Sequence, residues 1–432
     1  MGKDRRSLRH LPPCRGGSRL TLPGPGAVPF TAGDRSELAA RPFGLYVHVP
    51  FCASRCGYCD FVTYTVGELG GTQLRDGYAD AAIAEIRLAA DALGAGRPPT
   101  STVFFGGGTP TMLPTADLAR ILDAARQHLG LTPDAEITIE ANPDSVDRRG
   151  LAALRAAGFT RVSFGMQSVR AHVLTVLDRT HTPGRAQAAV ADAHAVGFAH
   201  VNLDLIYGTP GEREVDWRAT LDAAIGAAPD HVAAYALTVE PRTRLAARVR
   251  RGDLPAPDDD VLAARYEIAD DVLTAAGYSW YEVSNWARSD AAQCAHNLLY
   301  WRDHHWWGVG PGAHSHVGPT RWWNVREPAR HAAAVHAGAL PVEGWERSDA
   351  AARWLERVLL GVRVRDGLAA DPFDATTLGR LAEDALLEPG PLAHGRVVLT
   401  RRGRMLTDSV VRALVADGAR ASAACVESPM RP

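Results

Sequence analysis

The chain has 432 residues, and of its 47 lysine and arginine residues a single one, Lys3, is lysine. Enzymes that need a catalytic or phosphate-binding lysine are therefore excluded, among them P-loop nucleotidases, protein kinases, pyridoxal enzymes and Schiff-base aldolases. A formal net charge of -2 gives no global field to attract a polyanion. We therefore expect no nucleic-acid partner.

Hydrophobic residues make up 46% of the chain, an ordinary share for a globular protein with a substantial core. No stretch approaches the ~20 consecutive apolar residues of a transmembrane helix, and the basic N-terminus lacks the apolar segment of a secretory signal. We expect a cytoplasmic protein without a transmembrane segment, whose contact with a membrane is at most transient.

The pattern along the chain predicts alternating strands and helices from Gly44 onward. The first 40 residues are rich in proline, glycine and arginine, which predicts a flexible tail. Short apolar runs then predict seven strands: Leu45 to Val49, Thr102 to Phe105, Glu136 to Glu140, Arg161 to Phe164, Val201 to Ile206, His231 to Leu237 and Tyr278 to Val283.

Segments with helical periodicity lie between these strands. Apolar residues recur at three- and four-residue multiples from Leu74 to Leu93 and from Leu118 to Leu129, and Asp259 to Ala276 opens with acidic residues before Gly277. Strand–helix alternation with compact connections favours a parallel sheet flanked by helices, open or closed into a barrel. Functional residues are then expected at the C-terminal strand ends. Beyond Pro328 the pattern is mainly helical, with a short hairpin predicted at Gly395 to Leu399.

The strongest chemical signal is a cysteine triad directly after the first predicted strand, formed by Cys52, Cys56 and Cys59. Three thiolates can hold three irons of a 4Fe-4S cluster, and the missing fourth protein ligand leaves one iron open to a small molecule. The same spacing also allows a zinc site completed by a histidine such as His48, or three unrelated thiols. The other cysteines match no motif and receive no role: Cys14, Cys294 and Cys425.

A glycine run follows the second predicted strand, where Gly106, Gly107 and Gly108 precede Thr109 and Pro110. Without Cβ atoms, this loop lets backbone N–H and C=O groups approach a ligand closely. A tight strand-to-helix turn would use the same residues.

Further segments make the pattern specific to a family. The sequence contains, in order, Tyr46 to Cys52, Gly106 to Pro110, Glu140 to Asp144, Ser163 to Ser168 and Asp204 to Gly208. With the cysteine triad they resemble the radical S-adenosylmethionine (SAM) superfamily, and within it the oxygen-independent coproporphyrinogen III oxidase family and its relatives. The resemblance covers about residues 44–330.

The resemblance implies an α/β fold with a partial parallel (β/α)6 barrel of radical SAM type and a smaller, mostly helical C-terminal domain. We accordingly divide the chain into a flexible N-terminal tail (1–40), a radical SAM core (41–330) and a C-terminal domain (331–432). In this family an electron donor reduces a 4Fe-4S cluster, which cleaves bound SAM to a 5′-deoxyadenosyl radical, so the cofactors carry the reactivity.

The resemblance also implies roles for individual residues. Cys52, Cys56 and Cys59 would be the metal ligands of the cluster. The residues that would contact SAM or lie beside it are Tyr46, Tyr58, Gly107, Gly108, Thr109, Glu140, Gln167, Arg179 and Asp204. No catalytic residue is assigned beyond this cofactor site.

Two features resemble the heme chaperone branch of the family. Phe61 stands where the decarboxylating oxidase has a further cysteine, and His296 to Trp301 is similar to the His-Asn-x-x-Tyr-Trp heme motif of that branch. In a helix His296 and Tyr300 would share one face, and imidazole and phenolate are both known heme-iron ligands. Nearby histidines are rival ligands: His304, His305, His314 and His316.

The leading hypothesis is a radical SAM heme chaperone that binds a 4Fe-4S cluster, SAM and heme, and transfers heme to an acceptor protein. Two alternatives stay open from the sequence. One is oxidative decarboxylation of coproporphyrinogen III to protoporphyrinogen IX by a 5′-deoxyadenosyl radical, and the other is a different radical SAM enzyme such as a methyltransferase. The leading hypothesis describes a chaperone and both alternatives describe enzymes, so the sequence leaves open whether the protein is an enzyme.

Overall fold

A computed structural model describes residues 31–180 and 182–426, with the backbone alone for residues 32 and 417–426. Cys14, most of the predicted tail and the side chain of Cys425 lie outside the described residues. The tail prediction is wrong for its last part, because Ala32–Ala39 forms a helix. Thr31 caps that helix, and its Asp34 is 2% exposed and paired with Arg347, so this segment is anchored to the sheet.

The described residues form fourteen strands, which include all seven that the sequence predicts. They are β1 (Phe43–Val49), β2 (Thr100–Gly107), β3 (Leu131–Ala141), β4 (Arg161–Gln167), β5 (His200–Tyr207), β6 (His231–Ala236), β7 (Ser279–Glu282), β8 (Asn285–Ala287), β9 (His305–Val309), β10 (His314–Val317), β11 (Thr320–Asn324), β12 (Val342–Arg347), β13 (Leu368–Ala369) and β14 (Arg396–Val397).

Seventeen α-helices lie within the same described ranges. They are α1 (Ala32–Ala39), α2 (Gln73–Asp76), α3 (Tyr78–Leu93), α4 (Thr115–His128), α5 (Arg148–Ala157), α6 (Ala171–Val176), α7 (Arg185–Ala195), α8 (Glu214–Gly226), α9 (Arg244–Arg250), α10 (Asp259–Ala275), α11 (Ala295–Trp301), α12 (Pro328–His336), α13 (Ala350–Gly361), α14 (Ala375–Glu383), α15 (Pro389–Ala393), α16 (Arg401–Met405) and α17 (Thr407–Val426). Short 3₁₀ turns occur at Pro110–Met112, Pro143–Ser145 and Asp290–Ala292. None of the described helices is both long enough and apolar enough to span a bilayer.

Twelve strands build one sheet in the order β12-β11-β10-β9-β1-β2-β3-β4-β5-β6-β8-β7. The run from β9 through β1 to β6 is parallel, and the strands outside it pair antiparallel. The predicted α/β class with a parallel core is therefore confirmed, and the parallel run has seven strands, because β9 joins the six that were predicted. The sequence did not predict β8 to β12, which extend the sheet on both sides of those six strands.

Side chains alternate along the parallel strands between an apolar and a polar face. On β3, Ile137 and Ile139 are buried in the main hydrophobic core, whereas Thr138 and Glu140 line a cavity on the other face. Ser163 on β4 and Asp204 on β5 line the same cavity. Because strand side chains alternate with period two, this pattern places the core between sheet and helices and leaves a polar interior for a ligand.

The C-terminal region has a core of its own, formed around Val358, Leu381, Val397, Val410 and Leu414. The sheet continues to Arg347, beyond the predicted division at residue 330, so α12 and β12 belong structurally with the core. The hairpin predicted at Gly395 to Leu399 is wrong. Val397 is fully buried and pairs with Leu368, so β14 finds a distant partner in β13.

Candidate functional site

The cysteine loop leaves the C-terminal end of β1 and is held by backbone hydrogen bonds. The Cys52 N–H donates to the Tyr64 carbonyl at 3.0 Å, and the Gly57 N–H donates to the Leu177 carbonyl at 3.0 Å. Leu245 N–H in turn donates to the Gly57 carbonyl at 2.8 Å. These bonds hold the loop in place, and its three cysteines form no disulfide and are only partly buried.

The three thiols lie close enough to interact electrostatically. Burial, and then the neighbouring Cys59, raise the pKa of the Cys52 thiol to about 11, whereas Thr109 and Arg179 act against this rise. Arg179 Nη1 lies 3.6 Å from Cys56 Sγ. A cation beside the thiols stabilises thiolates, the form in which cysteine binds iron.

His48, the expected fourth ligand of a zinc site, is not free to bind zinc in this geometry. His48 Nδ1 lies 3.0 Å from the Tyr46 hydroxyl and His48 Nε2 lies 2.8 Å from the Val62 carbonyl, so both ring nitrogens are engaged. Among the side chains that the structure describes, no three His, Cys, Asp or Glu residues form a set that could hold one metal ion. Three separate thiolates suit a cluster, where each binds a different iron.

The glycine loop packs too tightly for any side chain. A Cβ on Gly107, whose φ is +108°, would lie 2.5 Å from the His48 ring, and one on Gly108 would lie 2.5 Å from the Phe51 carbonyl oxygen. Gly107 N–H donates to Glu140 Oε2 at 3.2 Å. The loop therefore presents backbone groups to the cavity, with the Glu140 carboxylate beneath them.

Two buried polar atoms at this edge lack hydrogen-bond partners among the described residues. Gln167 is 7% exposed, has φ of +63°, and its Oε1 accepts no hydrogen bond. Arg179 Nη2 donates to the Gly165 carbonyl at 2.9 Å, yet its Nε is unpaired. A strained residue and buried orphan polar atoms at one edge are the features of a ligand site, and they fit a polar cofactor such as SAM.

Asp204 starts a chain of hydrogen bonds along the polar cavity. Its carboxylate accepts from Ser163 Oγ at 2.8 Å and from Asn202 Nδ2 at 2.9 Å. His231 then links Asn202 Oδ1, at 2.5 Å from its Nδ1, to the Tyr281 hydroxyl, at 2.7 Å from its Nε2. Burial lowers the pKa of His231 far below its usual value, so the ring is neutral.

That chain ends at α11, which carries the predicted heme motif. The Cys294 N–H donates to the Tyr281 hydroxyl oxygen at 3.2 Å. Glu136 accepts from the N–H groups of Ala295 and His296 at 3.2 and 3.0 Å, and from Arg161 Nε at 2.9 Å. Burial opposes ionisation of Glu136, but Arg161 and these N–H groups hold its pKa below the usual value. A buried ionised carboxylate thus fixes the start of α11.

His296 lines the polar cavity and is 1% exposed. Its Nδ1 lies 2.7 Å from Thr102 Oγ1, its Nε2 lies 2.9 Å from the Tyr300 hydroxyl, and its ring stacks on Phe104 at 5.1 Å. Burial lowers the pKa of His296 to about 3. The two predicted heme residues therefore form a pair, with a neutral imidazole bonded to a phenol.

Thr102 lies in the first half of β2, whereas Gly107 ends that strand. At ~3.3 Å per residue the two positions are roughly 16 Å apart along the strand. The heme motif is thus near the N-terminal end of the parallel sheet, contrary to the expectation that all functional residues lie at the C-terminal strand ends. Tyr46 bridges the two regions, since its ring lies 6.4 Å from His296 and its hydroxyl bonds to His48.

One cavity of about 2820 Å³ connects both ends. It is lined at one end by the three cysteines and at the other by His296, Tyr300 and Trp306. Typical small-molecule sites are roughly 300–1,000 Å³, so this space is large enough for a second ligand beside SAM.

The other half of the heme motif is anchored to a buried carboxylate. Asn297 Nδ2 lies 3.4 Å from Glu282 Oε1, and Trp301 and Asn285 also hydrogen-bond to this side chain. Burial raises the pKa of Glu282 to about 7, against these hydrogen bonds. The motif therefore contains two pairs at four-residue spacing: His296 with Tyr300, and Asn297 with Trp301 on Glu282.

Sequence reasoning missed Thr102, Glu136, His231 and Glu282 as functional candidates. The alternation of polar and apolar residues on β3 to β5 was the available signal for a polar interior. Among the rival ligands, His305 has both ring nitrogens engaged, with the Glu37 carbonyl at 3.3 Å and the Gly318 N–H at 3.2 Å. The exposed His314 lines the cavity and stacks on Trp323.

The chain matches known proteins over most of its length. The radical SAM superfamily model matches residues 46–224. The heme chaperone HemW of Mycobacterium tuberculosis is 54% identical over 390 residues, covering 90% of this chain and 98% of that protein. HemW of Synechocystis sp. is 35% identical over 334 residues, covering 76% and 79%.

A solved structure supports the same fold. The coproporphyrinogen III oxidase HemN from Escherichia coli, a radical SAM enzyme, superposes with a TM-score of 0.74 over 89% of this chain and 92% of that one. The two sequences are 24% identical, so this match bears on the fold alone. Taken with the extensive identity to the M. tuberculosis protein, the sequence shows that the chain belongs to the HemW family of radical SAM proteins.

Proposed function

We propose that the protein is a radical SAM heme chaperone, which binds a 4Fe-4S cluster, SAM and one heme and hands the heme to an acceptor protein. The relatives named heme chaperones supply the precedent. The observation that carries the proposal is the single cavity, because it joins the cysteine loop to the His296–Tyr300 pair.

At the cysteine end we assign the residues as follows. Cys52, Cys56 and Cys59 hold three irons, and Tyr58 packs beside them against the apolar cluster around Leu177. Gly107, Gly108, Thr109 and Glu140 bind the SAM ammonium group, and Gln167, Arg179 and Asp204 its carboxylate and ribose, with Tyr46 close by. A reduced cluster supplies one-electron cleavage of the sulfonium when bound, and it requires an electron-donor partner.

The protein's own contribution at this end is orientation and charge. The Gly107 N–H and Glu140 form a donor–acceptor pair that fits a zwitterionic amino acid, since the carboxylate accepts from an ammonium. The half-buried Arg179 guanidinium compensates negative charge beside Cys56. The buried Gln167 amide offers an acceptor in a water-poor place.

At the α11 end, a neutral histidine faces a cavity with aromatic walls. Tyr300 and Trp306 pack edge to face at 4.6 Å, and the Trp306 Nε1–H donates to the His314 carbonyl at 2.9 Å. A neutral imidazole is the form that binds heme iron, and flat aromatic surfaces suit a macrocycle. We therefore assign the heme to this end.

Phe61 argues against decarboxylation of coproporphyrinogen III. It occupies the position of the oxidase's additional cysteine and is 39% exposed at the mouth of the cysteine loop. An aromatic side chain there provides no ligand and no thiol. Acting as a chaperone needs neither.

The test is an anaerobic comparison of two substrates on cluster-loaded protein. Hemin is titrated to measure stoichiometry, and coproporphyrinogen III is supplied with SAM and a low-potential reductant. We expect one heme per chain and no protoporphyrinogen. Catalytic formation of protoporphyrinogen would overturn the proposal.

Handover is measured by stopped-flow absorbance with a heme-free b-type cytochrome, and apomyoglobin serves as a passive scavenger. Direct transfer gives a rate that rises with the concentration of the cytochrome. A rate that is independent of acceptor concentration, and equal for both acceptors, would show simple dissociation and contradict a chaperone role.

A further inference from the structure

His296 and Tyr300 are both candidate ligands of the heme iron, and they differ in exposure and hydrogen bonding. Both line the cavity, but His296 is 1% exposed, and the exposed part of the pair belongs to Tyr300. Tyr300 Oη lies 2.9 Å from His296 Nε2, so this phenol occupies the nitrogen through which an imidazole held at Nδ1 would bind a metal. A metal and a hydrogen bond cannot use the same lone pair.

The protonation pattern of the pair follows from its two partners. Thr102 Oγ1 lies 2.7 Å from Nδ1, and the Tyr300 hydroxyl 2.9 Å from Nε2. A phenol is a stronger donor and weaker acceptor than an aliphatic hydroxyl. The arrangement of lower energy therefore has Nδ1–H donating to Thr102 and Tyr300 O–H donating to Nε2.

Packing fixes the imidazole but leaves Tyr300 a route of displacement. The His296 ring is held by Phe104 on one face at 5.1 Å and by Tyr46 at 6.4 Å, and its backbone by Glu136. Tyr300 contacts His296 and Trp306 edge to face at 4.9 and 4.6 Å, and it is partly exposed to the cavity. Rotation of the tyrosine frees Nε2 without moving the histidine.

We infer that Tyr300 is a hydrogen-bonding cap on the heme-binding Nε2 of His296, and that Thr102 is the residue that positions this imidazole. The inference rests on the proposed function and gives different roles to the two residues of the motif. On heme binding the iron–Nε2 bond forms and the Tyr300 O–H···Nε2 hydrogen bond breaks. Neither a proton nor an electron is transferred.

A Tyr300 that caps His296 and a Tyr300 that ligates iron predict opposite changes in heme affinity when the tyrosine is removed. If Tyr300 competes with iron, its removal must tighten heme binding. If it ligates iron, its removal must weaken binding. Thr102 resembles the partners that orient metal-binding histidines, whose loss commonly weakens metal affinity roughly 10- to 100-fold.

The experiment is hemin titration of the full-length, cluster-loaded protein and its variants, followed by absorbance and by electron paramagnetic resonance of the ferric heme. We expect Tyr300→Phe to bind hemin roughly fivefold more tightly, as expected for one hydrogen bond of about 1 kcal/mol. Its ferric spectrum should match wild type. His296→Ala should bind more weakly with an altered spectrum.

Thr102→Val should weaken binding roughly tenfold, and Thr102→Ser should restore it, since serine keeps the oxygen. Tyr278→Phe is the matched control. It removes a buried tyrosine hydroxyl that donates to the Pro229 carbonyl at 2.7 Å, away from α11, and it should leave hemin affinity unchanged.

The possible outcomes distinguish failure of the proposed function from failure of the Tyr300 cap. Wild-type protein that binds no stoichiometric hemin would overturn the proposed function. Stoichiometric binding with weaker or unchanged affinity in Tyr300→Phe, or loss of a tyrosinate charge-transfer band in that variant, would overturn the cap alone. Failure of Thr102→Ser to restore affinity would remove Thr102 from its role. If Tyr300→Phe does not fold, the two Thr102 variants carry the test by rescue and spectrum.

Discussion

The two ends of the polar cavity differ in how their buried polar groups are paired. At the cysteine end, backbone groups and orphan atoms such as Gln167 Oε1 are left for a ligand. At the α11 end, most of these polar groups pair with one another: Glu136 with Arg161 Nε, and His296 with Thr102 and Tyr300, although Arg161 Nη1 has no hydrogen-bond partner there. Unpaired buried polar atoms are costly, so the cysteine end favours a bound ligand. At the α11 end a ligand must instead displace an existing hydrogen bond.

This difference suits two ligands that stay bound for different lengths of time. A resident cofactor repays the strain of an incomplete site by its permanent contacts. A cargo must leave, and a site that can satisfy itself when empty lowers the cost of release.

Replacing Cys56 by serine should abolish the cluster. A serine hydroxyl is a poor ligand for iron, and Cys56 also carries the contact with Arg179. The measurement is iron and sulfide content per chain after anaerobic reconstitution, together with the visible absorbance. The buried Cys294, which contacts Glu136 instead, is the control: Cys294→Ser should retain the full cluster. A cluster in Cys56→Ser would refute the assignment.

Replacing Glu136 by glutamine should destabilise the α11 end strongly. The variant keeps the carbonyl oxygen but leaves Arg161, which is 1% exposed, as an unpaired buried charge. Breaking such a pair costs roughly 3–5 kcal/mol in the free energy of unfolding, measured by urea denaturation. Glu214→Gln, in an exposed pair with Arg218, should have no measurable effect. Equal effects of the two substitutions would show that the α11 end is not held by this pair.

The parallel core was predictable because its strands follow a local pattern. Glu136 to Glu140 was predicted and Leu131–Ala141 observed, which is an error in the ends and not in the element. The glycine loop and the cysteine loop were also visible, since each directly follows a strand. Local periodicity and turn chemistry are sufficient for features of that kind.

The α11 end was not predictable, because its meaning depends on contacts between distant segments. The spacing of His296 and Tyr300 places them on one helix face, but nothing local reveals that Thr102 would be the third member. Similarly, β9 pairs in parallel with β1, although the Trp- and His-rich segment that contains it shows no strand alternation. Register across such separations is a property of the whole fold.

Glu282 should make stability depend on pH at the α11 end. Its pKa rises from 4.5 to about 7 on burial, so the folded state binds the proton more tightly than the unfolded state. The contribution to stability is then full below pH ~4.5 and lost as pH rises through about 7. Relative to wild type, Glu282→Gln should gain up to about 3 kcal/mol between pH 5 and pH 8.

Urea denaturation at both pH values measures this difference. Glutamine retains an acceptor for Asn297 and Trp301, so the substitution changes the ionisation more than the hydrogen bonding. The exposed Glu383 is the control, and Glu383→Gln should follow the wild-type pH profile. If Glu282→Gln also follows it, the carboxyl does not titrate in this range and α11 is indifferent to its charge.

Replacing Gly107 by alanine should weaken SAM binding about tenfold and lower the free energy of unfolding by about 1–3 kcal/mol. The positive φ penalises alanine, and its Cβ would displace the His48 ring from 2.5 Å. Gly94→Ala separates these causes, because Gly94 also has a positive φ, +77°, but nothing within 4 Å of its Cβ. Both variants should lose stability in urea, while equilibrium dialysis with labelled SAM should detect weaker binding for Gly107→Ala alone. Equal SAM affinity in the two variants would mean that the close packing around this loop serves the fold, and that the cysteine end is no more prepared for a ligand than the α11 end.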